Sequence, residues 1–227
     1  MTPALLEFML EFGRKNDFEL ILMQGDDTDS RYFQVLANFD NEENPVYTLE
    51  KYSCPINDAI DGVSQRYVVD LVAMSGNEKA NKIADSLKRP MIIFPDTWQP
   101  KEIKRIGFAC DNSSFQDSSV LTILWHLAME LKAEVFIIHV SDEPISRWEL
   151  KSIVEDTIEF YLHDVEHHYD FVHGEDITKA LLEYSKLKEL DLIATMPRDR
   201  GLNRSDQGGQ VTNQLVGKSE IPLITID

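Results

Sequence analysis

Apolar and polar positions along residues 104–227 follow two periods that take turns. Arg105–Cys110, Val135–Val140 and Asp191–Thr195 are short, nearly continuous apolar runs, the pattern of strands covered on both faces. Between the first two, Val120, Ile123, Leu124, Leu127 and Leu131 recur at helical spacing and predict an amphipathic helix beginning near Ser119. A second helical pattern runs from Ser146 to Asp164, and His168–His173 alternates as a strand. Asp176 stands where it can cap a helix through Leu187, Gly209–Lys218 reads as a helix, and Pro222–Ile226 as a closing strand. Strand and helix alternating with short connections call for a parallel sheet with right-handed crossovers and helices on both faces. Ligands of such sheets bind outside the carboxyl ends of the strands, where strand order reverses. The positions to watch are therefore Asp111–Ser114, Ser141 and Met196–Gln210.

Residues before 97 carry a shorter version of the same pattern. Thr2 is placed as an N-cap with Pro3 in the first turn, and Leu5, Phe8, Met9 and Phe12 form the predicted buried stripe of a helix. Strands are expected at 18–23, 46–51, 69–74 and 91–94. The likeness extends to the residues themselves. Asp70-Leu71-Val72-Ala73 returns as Asp191-Leu192-Ile193-Ala194, 121 residues later, and Ile56–Ile60 returns as Ile177–Leu181 at the same offset. Pro90–Ile93 answers Pro222–Thr225 at an offset of 132, so the later copy carries a loop 11 residues longer. An added loop on a shared scaffold is where function concentrates. In the earlier copy Met74–Asn77 runs straight towards a helix, and no segment matches Arg105–Ser114. Asp26–Asn44, polar and acidic, is expected as a mobile segment replacing the long helix of the later copy. The organisation expected is a shortened domain over 1–96, a linker over 97–103 and a full domain over 104–227. The shortened domain is expected either to rearrange into a four-strand sheet or to borrow a strand from a neighbouring chain.

Composition narrows the function classes. The chain has 227 residues, and 22 basic against 40 acidic side chains give a net charge of −18, which repels phosphate backbones and excludes nucleic acid as a general partner. Cys54 and Cys110 form no CxxC pair and read as buried, reduced thiols of a cytoplasmic protein. Residues 1–7 lack the basic flank and cleavage site of a signal peptide, and no apolar run approaches the roughly 18 residues of a membrane span.

The later copy resembles the universal stress protein family. The residues that carry the resemblance are an acidic turn after the first strand (Asp111-Asn112-Ser113), a second strand ending in His139-Val140, and Asp191-Leu192-Ile193 opening the fourth. A glycine-containing loop then leads into a helix, and Pro222 opens the last strand. The match spans about 104–227 and, more faintly, 4–95. It implies an α/β fold: two flavodoxin-like parallel-sheet domains in tandem, the first incomplete. It also implies that the halves pair about a pseudo-twofold axis through their last strands, with Met91–Phe94 and Pro222–Ile226 as the contact.

In nucleotide-binding members the loop after the fourth strand wraps the phosphates of ATP, because glycines let the backbone approach and amides at a helix N-terminus face the anion. The positions this resemblance implies are Asp111, Val140, Met196, Gly208, Gly209, Gln210 and Val211, with Arg198 beside Arg200 and Arg204 as residual anion donors. The chain departs from the pattern in this loop. Pro197, which has no N–H, stands where the first glycine belongs, Gln210 replaces the hydroxyl residue after the last glycine, and Asp199 and Asp206 add negative charge. The leading reading is therefore a cytoplasmic stress-response or regulatory protein that acts by binding, with a degraded nucleotide site and no cofactor. Its expected partners are another protein and a second copy of itself, with neither nucleic acid nor membrane. The alternative is an ATP- or AMP-binding protein using the cleft of the later copy, and a third is a nucleotidyl-transferase-like enzyme on a related scaffold. His163, His167 and His168 invite a metal reading, with His163 and His167 expected at i and i+4 on one helix face, but no further ligand at fixed spacing joins that pair, so no metal is expected. Ser113 and Ser114 have no Gly-x-Ser-x-Gly setting, so no catalytic residue is assigned.

Overall fold

The computed structural model describes residues 2–16, 19–24, 35–36, 47–76, 80, 83, 89–110, 119–142, 154–196 and 208–226. They fall into two compact units, Met1–Asp70 and Leu71–Asp227. The repeat and the compact units thus divide the chain at different places, because two strands of the earlier copy join the sheet of the later one.

In the first unit, helix α1 (Pro3–Asn16) starts as expected: the Leu5 amide donates to the Thr2 hydroxyl at 3.2 Å. Its fully buried side chains are Leu5, Leu6 and Leu10, with Leu6 and Leu10 clustered around Leu36, so the buried stripe sits one residue away from the predicted one. Phe8 and Phe12 are half-buried and stack on each other with centroids 5.9 Å apart. Strands β1 (Leu20–Gln24) and β2 (Tyr47–Lys51) pair in parallel as a two-stranded sheet. Helix α2 (Ile56–Arg66) follows, and Glu50 at the end of β2 accepts from Tyr67 and Arg66 at 2.8 and 2.9 Å. Apart from Val35 and Leu36, the expected mobile segment Asp26–Asn44 lies outside the described residues.

The second unit is built on a seven-stranded sheet. Its strands are β3 (Val72–Gly76), β4 (Met91–Pro95), β5 (Arg105–Ala109), β6 (Glu134–Ser141), β7 (His167–His173), β8 (Leu192–Thr195) and β9 (Leu223–Thr225), in the spatial order β3-β4-β9-β8-β5-β6-β7. All neighbours are parallel except β4 and β9, which run antiparallel with Met91 opposite Thr225 and Ile93 opposite Leu223. This is the contact expected between the last strands of the two copies. The expectation of one rearranged four-strand sheet for the earlier copy is corrected. Among the described residues its strands divide between two sheets, since β3 and β4 gain hydrogen bonds by extending the sheet of the later copy.

The helices of the second unit are α3 (Ser119–Leu131), α4 (Val154–Leu162), α5 (Ile177–Leu187) and α6 (Gly208–Lys218). In α3 the buried stripe is Val120, Leu121, Leu124 and Ala128, while Ile123, Leu127 and Leu131 flank it half-buried. Asp176 caps α5 by accepting from the Lys179 amide at 3.0 Å. The repeat holds in packing as well as in sequence. The buried residues Ala59, Ile60 and Val63 of α2 stand 121 positions before Ala180, Leu181 and Tyr184 of α5. The two cysteines are free, but Cys54 is exposed, contrary to the expectation that both are buried. No described helix is long and apolar enough to cross a membrane.

Strand β5 sits between β8 and β6 and is held at its amino end by Asp191. One carboxylate oxygen accepts from the amides of Lys104 and Arg105 at 2.8 and 3.0 Å, the Asp191 amide donates to the Arg105 carbonyl at 2.9 Å, and Lys101 pairs with the other oxygen. Gly107 at its centre has no room for a side chain: a Cβ would lie 2.5 Å from a Leu190 methyl and 2.9 Å from one of Ile138. Gly107→Ala is expected to cost about 1–3 kcal/mol through overpacking, seen as a lower urea midpoint with an unchanged slope.

Candidate functional site

The carboxyl ends of β5, β6 and β8 lie at one edge of the parallel sheet, with Ala109 in register with both Ile138 and Thr195. Strand order reverses at β5, whose neighbours are the next strand in sequence and the fourth of its copy, so the crevice outside β5 and β8 is the place for a ligand. The described residues around it are Cys110, Val140, Ser141, Thr195 and Met196. Val140 and Val211 are half-buried and pack against the core of Phe136, Ile138, Leu181, Leu215 and Leu223. Val140 also reaches the close turn after β7, where a Cβ on Gly174 would fall 3.9 Å from a Val140 methyl and 2.9 Å from the Ala180 Cβ. Met196 is half-buried directly after β8. Gly208, Gly209 and Gln210 form the first turn of α6, which has no acidic residue in that turn. Asp111 and Arg198 lie outside the described residues, as does Pro197. The structure therefore brings Val140 and Met196 to one sheet edge, and it begins α6 at Gly208, one residue before the expected Gly209.

Thr195 was not among the residues marked by the sequence. It is 4% exposed, and its hydroxyl is a buried polar group with no hydrogen-bond partner among the described residues. The signal was available only as position: it is the last residue of the strand that opens with Asp191. A buried hydroxyl without a partner costs free energy. Among the described residues it is a polar atom of this edge with unspent bonding capacity.

The three histidines do not share one site among the described residues. Helix α4 ends at Leu162, two residues short of the predicted Asp164, so His163 and His167 do not share a helix face. His163 pairs with Asp164, while at His167, the first residue of β7, Nδ1 lies 2.8 Å from the Val165 carbonyl oxygen and Nε2 lies 3.1 Å from a Glu159 carboxylate oxygen, both of them acceptors. His168 Nε2 lies 3.4 Å from Glu134 and 3.8 Å from Glu166, at the amino edge of the sheet and away from the crevice. Glu134 is shared: its other carboxylate oxygen accepts from Arg105 Nε at 2.7 Å, while Glu134, Glu166 and His168 bring their ligand atoms within 4.8 Å of one another. A hollow of about 280 Å³ between α5 and α6, lined by Asp176 and Glu183 as well as Lys179, Lys186 and Lys218, contains none of the predicted site residues.

One electrostatic lock fixes β7 to α5. The Tyr184 hydroxyl donates to Asp170, and Lys188 lies 3.2 Å from the same carboxylate. Burial opposes ionisation of Asp170, but the hydrogen bonds from Tyr184 and Lys188 outweigh it and hold the carboxyl below its ordinary range. Burial and the Asp170 hydrogen bond together push the Tyr184 phenol well above its ordinary value.

No family model matches the chain, and no curated protein matches it. Solved structures do. A universal stress protein from Archaeoglobus fulgidus superposes with a TM-score of 0.64 at 18% identity, covering 99% of this chain and 91% of its own. A putative universal stress protein from Pseudomonas aeruginosa gives 0.65 at 13% identity, covering 96% and 85%. A protein of unknown function from the same organism gives 0.63 at 12%, covering 92% and 81%. The chain has the universal stress protein fold. Matches extending over nine-tenths of the chain include its first unit, so the tandem arrangement belongs to the likeness. At these identities the universal stress protein relationship is one of architecture, and ligands of the fold are a separate question.

Two outcomes follow from this geometry. Thr195→Val is expected to stabilise the ligand-free protein by about 1 kcal/mol, because it removes an unpaired buried hydroxyl at nearly constant volume; thermal unfolding checks it. Because the folded value of Asp170 is depressed, its contribution is present above the ordinary carboxylate range and lost as pH falls through that depressed value. Tyr184→Phe is expected to remove about 1 kcal/mol or less at neutral pH, reduced by partial solvation. Urea unfolding at stepped pH is expected to show a shallower acid loss in the variant.

Proposed function

We propose that this chain is a cytoplasmic regulatory protein of the universal stress type, acting by binding rather than turnover, with a nucleotide cleft that has lost its grip on phosphates. The observation that carries the reading is the make-up of the crevice outside β5 and β8. The residues on it that have described side chains and correspond to nucleotide contacts are apolar and half-buried, Val140, Met196 and Val211, and two of them, Val140 and Val211, pack against the core. The loop that would supply backbone donors carries Pro197 in place of a glycine, together with Asp199 and Asp206. A proline removes an N–H at the point of closest approach, and two carboxylates oppose a triphosphate. Binding through protein surfaces, to a partner or to a second copy, is what remains for such a scaffold to do.

The alternative, an ATP- or AMP-binding protein, is favoured by one feature. Helix α6 starts on Gly208-Gly209 with no acidic side chain in its first turn, so its free amides retain an affinity for an anion. Arg198, Arg200 and Arg204 precede it in the sequence.

The two readings separate in one experiment. The purified protein is denatured and the supernatant scanned for adenine absorbance, and refolded protein is then titrated with Mg²⁺-ATP and with AMP by calorimetry. The expected result is no released adenine and no saturable heat in the micromolar range. Micromolar binding of either nucleotide, lost in an Asp111→Ala variant, would replace the leading reading with the alternative.

A further inference from the structure

At the amino edge of the seven-stranded sheet, opposite the crevice, three metal-ligating side chains converge, all belonging to the second unit. Strand pairing puts them there. Arg105 of β5 is in register with Glu134 of β6, and Phe136 of β6 with His168 of β7. The Val135 amide donates to the Glu166 carbonyl at 2.9 Å, which carries the β6–β7 ladder one step back and sets Glu166 beside Glu134. Residues two apart on a strand share a face. Glu134, Phe136, Glu166 and His168 therefore stand on one side of the sheet. The ligand atoms of Glu134, Glu166 and His168 all fall within 4.8 Å of one another.

Their spacing is closer to a coordination shell than to a hydrogen bond. His168 Nε2 lies 3.4 Å from Glu134 Oε2 and 3.8 Å from Glu166 Oε1. An imidazole bonded to a carboxylate sits at about 2.7–3.2 Å. Ligand atoms about 2.0–2.2 Å from a tetrahedral zinc ion are about 3.3–3.6 Å apart. The Glu134 distance falls inside that range and the Glu166 distance just above it. Charge points the same way. Carboxylates side by side on neighbouring strands repel each other. Glu134, Glu166 and the nearby Glu189 surround one guanidinium, that of Arg105, which meets Glu134 at 2.7 Å and Glu189 at 3.5 Å. Arg105 holds Glu134 through Oε1, so Oε2 is the oxygen turned towards His168. The Phe136 ring packs on the imidazole with centroids 5.0 Å apart and limits its swing.

We propose that Glu134 Oε2, Glu166 Oε1 and His168 Nε2 form a zinc site, with water at the fourth corner, that clamps β7, the last strand in the sheet order, to β6. A nitrogen ligand among oxygens selects a borderline ion such as zinc over magnesium or calcium, which take oxygen. The bond from Arg105 to Glu134 is the outer contact that orients a ligating carboxylate. No fixed spacing along the chain announces such a site, because Glu134 arrives from the neighbouring strand. The site is separate from the crevice outside β5 and β8, so it stands whether or not a nucleotide binds there.

The test is calorimetric titration of the metal-free full chain with zinc chloride, repeated with cobalt(II) as a visibly absorbing substitute. One saturable site in the micromolar range is expected, with a tetrahedral cobalt spectrum. Zinc is also expected to raise the thermal midpoint and to slow amide exchange over His167–His173. His168→Ala and Glu166→Gln are each expected to weaken binding at least about tenfold. Both side chains are exposed, so folding tolerates either change. His163→Ala, at a histidine outside the cluster, is expected to leave binding unchanged. Absence of saturable heat at millimolar zinc, an unchanged affinity in His168→Ala or Glu166→Gln, or displacement of zinc by equimolar magnesium would overturn the proposal.

Discussion

The arrangement of the second unit depends on how β5 is inserted. A central parallel strand must find partners on both sides and a fixed register, and Asp191 supplies the register by holding two successive amides and a lysine at the point where the strand begins. Gly107 then lets Leu190 and Ile138 close over the strand from neighbouring elements. With β5 so placed, strand order reverses beside it, and the crevice at the carboxyl edge comes into being as a consequence of topology. The position of Thr195, in register with Ala109, follows from the same pairing.

The second organising contact is the antiparallel pairing of β4 with β9. It converts two parallel pieces into one seven-stranded sheet by matching the last strands of both copies, and it buries Met91, Ile92, Ile93 and Phe94 almost completely. Phe94 continues into Trp98, with rings 4.9 Å apart, so the segment read as a linker is itself packed. Sequence ancestry and spatial membership therefore part company. β3 and β4 belong to the earlier copy by their residues and to the later one by their hydrogen bonds.

Much of the fold was legible because it rests on local periodicity. The strands of the later copy, the cap at Asp176 and the N-cap at Thr2 all appear where patterning and side-chain chemistry put them. Errors arose where two registers were equally apolar. In α1 and α3 the chain offers more hydrophobic residues than one face can bury, and packing chose Leu6–Leu10 and Leu121–Leu124 over their neighbours. Helix α4 ends early because the Val165 amide bonds back to the Leu162 carbonyl and turns the chain into β7, which separates His163 from His167. The candidate site was legible as a place, the carboxyl edge, but its unpaired hydroxyl was not. Thr195 looks in sequence like any β-branched strand residue.

By itself the sequence determined the alternation of strand and helix and the duplication at a constant offset, since both follow from residue order and side-chain type; the pairing of the last strands was implied by the family resemblance alone. Only the tertiary structure decided which sheet each strand joined and which hydroxyls were left without partners. Those outcomes depend on competition among distant segments for the same backbone donors and acceptors.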